Sequence, residues 1–436
     1  MTLPKLKDIA YQSLLELASE EGIYASSKEG CFGCIFGRDS AVTCLKILRV
    51  LDTYKGDSEI DVIKLREIVR NSLIKLTALQ GTSINKESGE EPGKFIHEFR
   101  KEKYDRLVNR PKPWYVYPDK ILRNYDSIDS TPLTLIAIYN YWKLTGDREF
   151  LLTVLPFVEK GLVWIKNYGD MDKDFLLEYE LSVDRVHGGL RVQSWTDSAE
   201  SLEDTLGKFP LYPIAPVEVQ GYAWLALKQW GEFFKDNPME GENSRFGTEL
   251  LDFAKNLKKA FNEKFIFKDS DHYFLSQALD GHKNQIKTIT GNALLILWAT
   301  YSEGESRETI LEDKYIFDIV KRSFLSDMFD PDAGIRTMSA LSPTFNPNNN
   351  SYHNGSFWPK LNGMVYEGLE KWDFVNEAER LRIASLKPIA YFGTPIELYM
   401  KDLEGQYFLY KNFRGQESCR VQAWSAAALL DFVKHD

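Results

Sequence analysis

A helical spacing of apolar residues recurs along almost the whole of this 436-residue chain and constrains its fold more than any other feature. Apolar side chains return every three or four residues in one segment after another, which is the pattern of helices with one buried face. The chain is therefore predicted to be all-α. The twelve segments that show the pattern are residues 3–21, 39–52, 61–79, 130–144, 149–168, 216–235, 245–264, 289–302, 307–324, 355–371, 375–388 and 420–433.

The connections between these segments alternate between long and short. The long ones cover residues 22–38, 80–129, 169–215, 265–288, 325–354 and 389–419, and the short ones residues 53–60, 145–148, 236–244, 303–306 and 372–374. Twelve antiparallel helices joined in this way predict a closed ring of six helical hairpins with all the long loops on one face. No linker divides the chain, so residues 1–436 are predicted to form a single domain. Stretches with strand character, such as residues 271–279, predict minor β-hairpins within the loops.

The charge balance argues against two classes of partner. The 54 Lys and Arg residues against 64 Asp and Glu give a net charge of −10, which is unsuited to nucleic acid or to an anionic membrane surface. No apolar run has the length of a membrane helix, and the first residues lack the apolar stretch of a signal peptide. Cys31 and Cys34 are spaced like zinc ligands, but no second pair accompanies them. We expect a cytoplasmic protein without a metal or cofactor, and the sequence leaves its oligomeric state open.

Polar residues suited to chemistry are concentrated in the predicted long loops. Asp39 follows Arg38 at the start of a helix, where an N-cap is the alternative to a functional role. Glu98 and Arg100 fall on the same side of an extended stretch. Either a surface salt bridge or a ligand site would explain that spacing, so both interpretations stay open.

Further carboxylates follow along the chain. Asp126 and Asp129 precede the next predicted helix, where capping by Asp129 or Ser130 is again the alternative to ligand binding. In the third long loop, Asp197 lies two residues after Trp195. An apolar neighbour disfavours the charged carboxylate and keeps the acid protonated, as a proton donor requires. Asp197 is therefore a candidate general acid.

The remaining candidates lie in the second half of the chain. Glu218 and Gln220 open an otherwise apolar helix, and a favourable charge at the helix N-terminus is the alternative explanation for Glu218. Glu397 stands between apolar neighbours in the sixth loop, where a solvated carboxylate is the alternative. Carboxylates, aromatic rings and few basic residues together favour a neutral polyhydroxylated ligand, which is an oligosaccharide or a glucan. The fifth loop adds three candidate contacts for it, Arg336, His353 and Trp358.

The order of motifs along the chain resembles the amylo-α-1,6-glucosidase catalytic domain of glycogen debranching enzymes. The motifs are FGRDS (36–40), EEPGKFIHEFR (90–100), DSIDSTPL (126–133), SWTDS (194–198), IAPVEVQGYAWLAL (214–227), GIRT (334–337), YHNGSFWP (352–359), TPIEL (394–398) and CRVQAW (419–424). The resemblance spans nearly the whole chain. It implies a glycoside hydrolase with an (α/α)6 barrel, which agrees with the six hairpins counted from the sequence.

The resemblance also implies roles for individual residues. Asp197 matches the general acid of the family and Glu397 its general base, which implies inverting hydrolysis of α-glucosidic linkages. Two other classes of protein stay open from the residues alone: a non-catalytic carbohydrate-binding protein, and a sugar epimerase with histidine bases. The sugar contacts that the resemblance implies are Arg38, Asp39, Asp129, Glu218, Gln220, His353 and Trp358.

Overall fold

The computed structural model of the chain describes residues 1–53, 61–203, 207–236 and 242–434. Within these residues the helices are α1 (Leu3–Leu17), α2 (Gly37–Thr53), α3 (Val62–Ala78), α4 (Asp105–Val108), α5 (Ser130–Thr145), α6 (Arg148–Trp164), α7 (Val217–Asp236), α8 (Glu242–Lys264), α9 (Leu295–Trp298), α10 (Ile316–Ser323), α11 (Pro359–Lys371), α12 (Val375–Phe392) and α13 (Ala423–Phe432). The predicted short connections at 53–60 and 236–244 lie largely outside the described residues.

The strands are short and pair only with antiparallel neighbours. They are accessory hairpins and small sheets, as predicted, and most lie in the long connections. Their bounds are β1 (Ala18–Ser19), β2 (Gly22–Ile23), β3 (Ile35–Phe36), β4 (Glu98–Arg100), β5 (Leu122–Asn124), β6 (Ala215–Pro216), β7 (Ile266–Asp269), β8 (His272–Leu275), β9 (Ala278–Leu279), β10 (Gln285–Ile286), β11 (Tyr301–Glu303), β12 (Ser306–Glu308), β13 (Phe329–Asp330), β14 (Gly334–Ile335), β15 (Tyr399–Lys401) and β16 (Tyr407–Leu409).

Two of the predicted helices are wrong in extent. In place of a helix over 289–302, a 3-10 turn at Gly291–Leu294 leads into the single turn of α9, and the β11–β12 hairpin follows. In place of a helix from 307, α10 begins only at Ile316. The hydroxyl of Thr309 donates to the carbonyls of Ile296 and Ala299. Because a side chain from outside the helix occupies these carbonyls, another helical turn is not needed to satisfy them.

Six helices pack against one another in a closed order. The contacts run from α2 to α5, then α7, α9, α11 and α13, and from α13 back to α2. We call these six the inner helices. They are buried on nearly every side, and all ten residues of α13 are buried. The helices α1, α3, α6, α8 and α12 pack outside them, on α13, α2, α5, α7 and α11 respectively.

A buried charge network ties three inner helices together. The ammonium group of Lys46 on α2 donates to Glu367 on α11 at 2.9 Å and to Asp431 on α13 at 2.7 Å. Arg49, one turn further along α2, also donates to Asp431, at 2.8 Å. Removing one member of such a network leaves an uncompensated buried charge, so the network fixes the packing of these helices. No helix in the described part of the chain is both long enough and apolar enough to cross a membrane.

Candidate active site

Side chains at the N-terminal ends of the inner helices hydrogen-bond to one another. Arg38, in the first turn of α2, donates to both carboxylate oxygens of Asp129, directly before α5, at 3.1 and 3.2 Å. Gln422, directly before α13, donates to Asp39 on α2 at 3.0 Å. Burial raises the pKa of Asp39 to about 7, although Arg38 opposes the rise. These bonds bring the starts of three inner helices together around buried charge.

The other inner helices reach the same place through aromatic and polar side chains. The amide of Asn292, in the 3-10 turn before α9, donates to Glu218 on α7 at 3.2 Å and accepts from the indole of Trp195 at 3.0 Å. The ammonium of Lys360, in the first turn of α11, lies 4.2 Å from the centre of the Trp195 ring. Burial raises the pKa of Glu218 to about 7 and lowers that of Lys360 to about 7. Both groups therefore change their protonation state near neutral pH.

A cavity of about 260 Å³ opens where these helix ends meet. Its walls come from the long loops as well as from the helices, so residues far apart in sequence share one surface. This is the concave, mixed apolar and polar lining that is typical of small-molecule sites. Eight of the residues predicted from sequence line it: Arg38, Asp39, Glu98, Trp195, Asp197, His353, Trp358 and Glu397.

Asp197 lies in the cavity wall beside a guanidinium group. Arg38 donates to Asp197 Oδ2 at 2.7 Å and thereby connects Asp197 to Asp129. Burial raises the pKa of Asp197 to about 6, while the charge and the hydrogen bond of Arg38 act in the opposite direction. The carboxyl side chain remains 23% exposed. It is thus accessible from the cavity and can hold a proton near neutral pH.

Glu397 lies in the same cavity with both carboxylate oxygens held. The phenol of Tyr352 donates to Oε1, and the main-chain N–H of Cys419 donates to Oε2 at 2.8 Å. Burial raises the pKa of Glu397 to about 7, against these two hydrogen bonds, which favour the ionised form. The carboxylate is therefore fixed in position and can still accept a proton.

Aromatic rings form one wall of the cavity. His353 stacks on Trp358 with ring centres 4.9 Å apart, and Trp195 meets both rings edge-on. The backbone N–H of Ser198 donates to His353 Nδ1 at 3.3 Å. Burial holds the pKa of His353 well below its usual value, so the imidazole is neutral. Flat rings of this kind offer apolar faces to a sugar ring. The indole N–H groups of Trp195 and Trp358 are held by the protein, whereas Nε2 of His353 has no partner among the described residues.

Glu98 and Arg100 form an ion pair, as the salt-bridge interpretation of their spacing predicts, but the pair is buried rather than on the surface. Glu98 lines the cavity, whereas Arg100 stands behind it and donates to the carbonyl of Cys31 at 2.7 Å. Asp129 also stands behind the lining and acts on it through Arg38. Glu218 does not line the cavity and is linked to Trp195 in its wall through Asn292.

Three predicted contacts lie away from this cavity. Gln220 hydrogen-bonds through its amide to the backbone of Leu177 and Pro216, so it holds the loop before α7. Arg336 stacks on Phe357 with 4.6 Å to the ring centre. Asp126 pairs with Arg185 at 2.7 Å in a second cavity of about 280 Å³, whose lining shares no residue with the first.

Several residues of the cavity could not be predicted from the sequence. Tyr352 and Gln422 stand inside the motifs YHNGSFWP and CRVQAW, which do not distinguish them from their neighbours. Lys360 contacts Trp195 without lining the cavity, and nothing in the local sequence marks it, because a lysine in the first turn of a helix is ordinarily solvated. Arg106 and Arg110 also line the cavity, and no motif contains them. Only the folded chain brings these side chains together.

One acidic cluster in the described part of the chain has ligand atoms close enough for a metal ion. It comprises Asp170, Asp172 and Asp174, which follow α6. The ammonium of Lys283 lies 3.0 Å from Asp172 and 3.4 Å from Asp174, and Lys264 also pairs with Asp174. The two lysines offset part of the negative charge of the cluster, and none of its aspartates lines the cavity that holds Asp197 and Glu397.

Comparison with solved structures finds proteins of the same fold. A mannosylglycerate hydrolase of glycoside hydrolase family 63 from Thermus thermophilus, in complex with Tris, matches with a TM-score of 0.62 at 13% identity, over 98% of this chain and 99% of that one. The same protein with glucose gives 0.64 at 14% identity with the same coverage. An uncharacterized conserved protein from the same organism gives 0.65 at 14% identity, again over 98% and 99%. Identities this low bear on the fold alone.

Comparison at the level of sequence is more specific. No curated protein matches the chain significantly. The family model of amylo-alpha-1,6-glucosidase, however, matches residues 70–431, which is most of the chain and contains both Asp197 and Glu397. The resemblance inferred from the motifs is thereby confirmed. This chain belongs to the amylo-α-1,6-glucosidase family of glycoside hydrolases.

Proposed function

We propose that the protein hydrolyses α-glucosidic linkages in oligosaccharides or glucans with inversion of configuration, as an amylo-α-1,6-glucosidase does. The observation that carries the proposal is that Asp197 and Glu397 face one cavity, each with its pKa raised towards neutrality by burial. The closed order of the inner helices, with α1, α3, α6, α8 and α12 outside them, supports an (α/α)6 barrel formed by one domain over residues 1–436. All four cysteines are free thiols, which supports a cytoplasmic setting.

Asp197 is the proposed general acid. Its proton passes to the glycosidic oxygen as the bond to the leaving group breaks. The carboxylate that remains is stabilised by Arg38, which already donates to Oδ2. Because this interaction is stronger with the ionised form, it favours the state that follows proton transfer over the state that precedes it. Asp129 holds Arg38 in place through two further hydrogen bonds.

Glu397 is the proposed general base. In its ionised form it takes a proton from a water on the opposite face of the sugar, and that water attacks the anomeric carbon. The inverting reaction needs carboxyl groups ~6.5–9.5 Å apart, with room for the water between them. Tyr352 and the N–H of Cys419 hold the two oxygens of Glu397, and each oxygen retains a lone pair for the water. These contacts orient the base without protonating it.

The remaining cavity residues are proposed to bind the sugar. Asp39 can accept hydrogen bonds from sugar hydroxyls. Gln422 orients its carboxylate for this by donating to Oδ1. The stacked pair of His353 and Trp358 offers an apolar face to the ring. A non-catalytic binding protein would need neither acid nor base in such positions, so the two protonatable carboxyls favour the hydrolase.

The test is a hydrolysis screen on defined α-linked disaccharides and oligosaccharides, read by NMR that resolves the anomers of the first product. Mannosylglycerate belongs in the screen because a protein of the same fold carries that name. We expect turnover with an inverted first product. A retained product would instead require a nucleophile and carboxyls only ~5–5.5 Å apart. Interconversion of free sugars without hydrolysis would favour the epimerase.

A pair of variants assigns the base. Glu397→Gln should abolish turnover and leave sugar binding measurable, because the amide has nearly the shape of the carboxylate but cannot accept the proton. Glu404→Gln is the matched control, since Glu404 is exposed in the loop between β15 and β16. In Glu397→Ala, azide should restore part of the turnover by attacking from the vacated space. Near-normal activity of Glu397→Gln would move the search for the base to Glu218 or Glu98.

A further inference from the structure

We propose that the rim of the cavity binds an anionic group, a carboxylate or a phosphate, on the part of the substrate that lies beyond the cleaved bond. This inference rests on the proposed hydrolase function and specifies its class of substrate. It starts from Arg106 and Arg110, which line the cavity together with the catalytic candidates. Arg110 is exposed whereas Arg38 is buried, so the two rim arginines mark the open side and Arg38 the closed side.

The charge of the rim arginines is only partly compensated, because Glu98, the carboxylate in the same cavity that acts on Arg110, is itself paired with Arg100. In the part of the chain that the structure describes, neither Arg106 nor Arg110 forms an ion pair with a carboxylate. Arg106 donates to the carbonyl of Cys31 at 2.9 Å, and its buried Nε has no hydrogen-bond partner. Arg110 donates from Nε to the carbonyl of Arg106 at 3.0 Å. Both guanidinium groups therefore retain N–H donors that the protein does not use.

A third arginine, Arg414, adds positive charge near Arg110. Burial, followed by the like charges of Arg106 and Arg414, lowers the pKa of Arg110. Arg414 lies in the turn after Asn412, is exposed and likewise has no ion pair with a described carboxylate. The like charges of Arg106, Arg110 and Arg414 repel one another, and an anion bound at the two that line the cavity reduces that repulsion.

The contrast with the other arginines of the site shows that this cluster is unusual. Arg38 is paired with Asp129 and Asp197, and Arg100 is paired with Glu98. The chain as a whole carries ten more acidic than basic side chains, so carboxylates to neutralise the rim are not scarce. Guanidinium groups bind carboxylates and phosphates through paired N–H donors. The rim thus differs from the neutral-ligand surface that the sequence predicts.

The first test compares matched substrates that share the sugar and the linkage. α-Glucosylglycerol has a neutral leaving group, α-glucosylglycerate carries a carboxylate, and α-glucosylglycerol phosphate carries a phosphate. We expect kcat/KM to be about tenfold or more higher for one of the anionic compounds than for the neutral one. The preference should fall when the salt concentration rises to about 0.5 M, because exposed charges are screened. Equal values for all three compounds, at low salt, would overturn the proposal while leaving the hydrolase function standing.

The second test removes rim charges one at a time. Arg110→Gln and Arg414→Gln change exposed side chains and are expected to fold, and each should reduce the anionic-to-neutral ratio of kcat/KM about three- to tenfold. Arg106→Lys keeps the charge but loses the paired donors, so the ratio should fall by less than in a double Arg106→Gln, Arg110→Gln variant. Arg245→Gln, which alters an exposed arginine on α8, is the control. An unchanged ratio in both exposed-arginine variants would contradict the proposal.

A binding measurement separates this inference from the proposed function. Glycerate, inorganic phosphate and glycerol are titrated calorimetrically into the wild-type protein and into Arg110→Gln. Binding of an anion that is weakened several-fold by the substitution, with no hydrolysis of any glycoside, would support the rim and refute the hydrolase. Hydrolysis of neutral glucosides with no anion binding would refute the rim and support the hydrolase. The more tightly bound anion identifies the carboxylate or the phosphate as the preferred group.

Discussion

Arg38 Nη2 lies 2.7 Å from Asp197 Oδ2, so the proposed general acid carries a permanent cation as its nearest charged partner. Two effects on Asp197 are opposed. Burial favours the neutral acid, whereas Arg38 favours the carboxylate, and the result is a pKa of about 6. For Glu397, burial exceeds the two hydrogen bonds and raises the pKa to about 7. The pKa of the acid therefore lies slightly below that of the base. Only a minor fraction of the free enzyme has Asp197 protonated and Glu397 ionised at the same time.

This relationship predicts a narrow, bell-shaped pH profile. With a pKa of about 6 for Asp197 and about 7 for Glu397, kcat/KM should be greatest near pH 6.5. It should fall at higher pH as Asp197 loses its proton, and at lower pH as Glu397 gains one. The measurement is kcat/KM of the free enzyme from about pH 4.5 to 9. A flat profile across the range 5.5–8 would contradict both assignments.

Asp197→Asn keeps the shape of the side chain and removes the proton that is transferred. General acid catalysis is typically worth ~10²–10⁴-fold, so kcat on a natural α-glucoside should fall by that factor. The defect should shrink on an aryl glucoside with a good leaving group, which needs little protonation. The high-pH fall of the profile should also disappear on that substrate. An equal loss of kcat on natural and activated substrates would argue that Asp197 has another role.

The ring of helices could be predicted from the sequence because it depends on apolar spacing, which each segment carries by itself. α9 and the start of α10 are the exceptions. Residues 289–302 are as apolar as a buried helix, yet α9 ends at Trp298, and the hydroxyl of Thr309 satisfies the carbonyls of Ile296 and Ala299. A contact between residues ten or more positions apart is invisible to a local pattern. The boundary therefore needed the folded chain.

The residues of the site also differ in whether the sequence alone could predict them. Asp197 and Glu397 could be predicted because motifs surround them, and they do face one cavity. Gln220 belongs to an equally clear motif, but its amide is used by the backbone of Leu177. Arg106 and Arg110 lie in a loop without any motif and line the cavity nonetheless. A motif indicates that a residue matters and does not distinguish a contact with ligand from a contact that holds a loop.

Tyr352 is expected to tune the base. Its phenol donates to Glu397, which favours the ionised carboxylate. Tyr352→Phe removes this donor, so the pKa of Glu397 should rise. Because that pKa already lies above the pKa of Asp197, kcat/KM should fall, and its maximum and high-pH limb should move to higher pH. Activity at pH 6 should drop more than activity at pH 8, and a purely structural role would not produce that difference. Tyr391→Phe, on an exposed ring of α12, is the control and should leave the profile in place.

Glu218 should make the fold less stable as the pH rises. It is fully buried, and one of its oxygens, Oε1, has no hydrogen-bond partner. Its pKa is raised by burial from 4.5 to about 7, so the folded chain binds the proton more tightly than the unfolded chain does. The corresponding stability is present at pH 4 and is lost as the pH rises through about 7.

Glu218→Gln removes the ionisable group and keeps the volume. At pH 8 the variant should therefore have the larger free energy of unfolding, by about 3 kcal/mol as an order of magnitude, and near pH 5 the gain should be much smaller. Urea unfolding at the two pH values measures the difference. Glu263→Gln, at an exposed position of α8, controls for the loss of one negative charge. A gain of the same size at both pH values would show that Glu218 is not held protonated in the folded protein, and a loss at both would show that Asn292 needs the carboxylate as its acceptor.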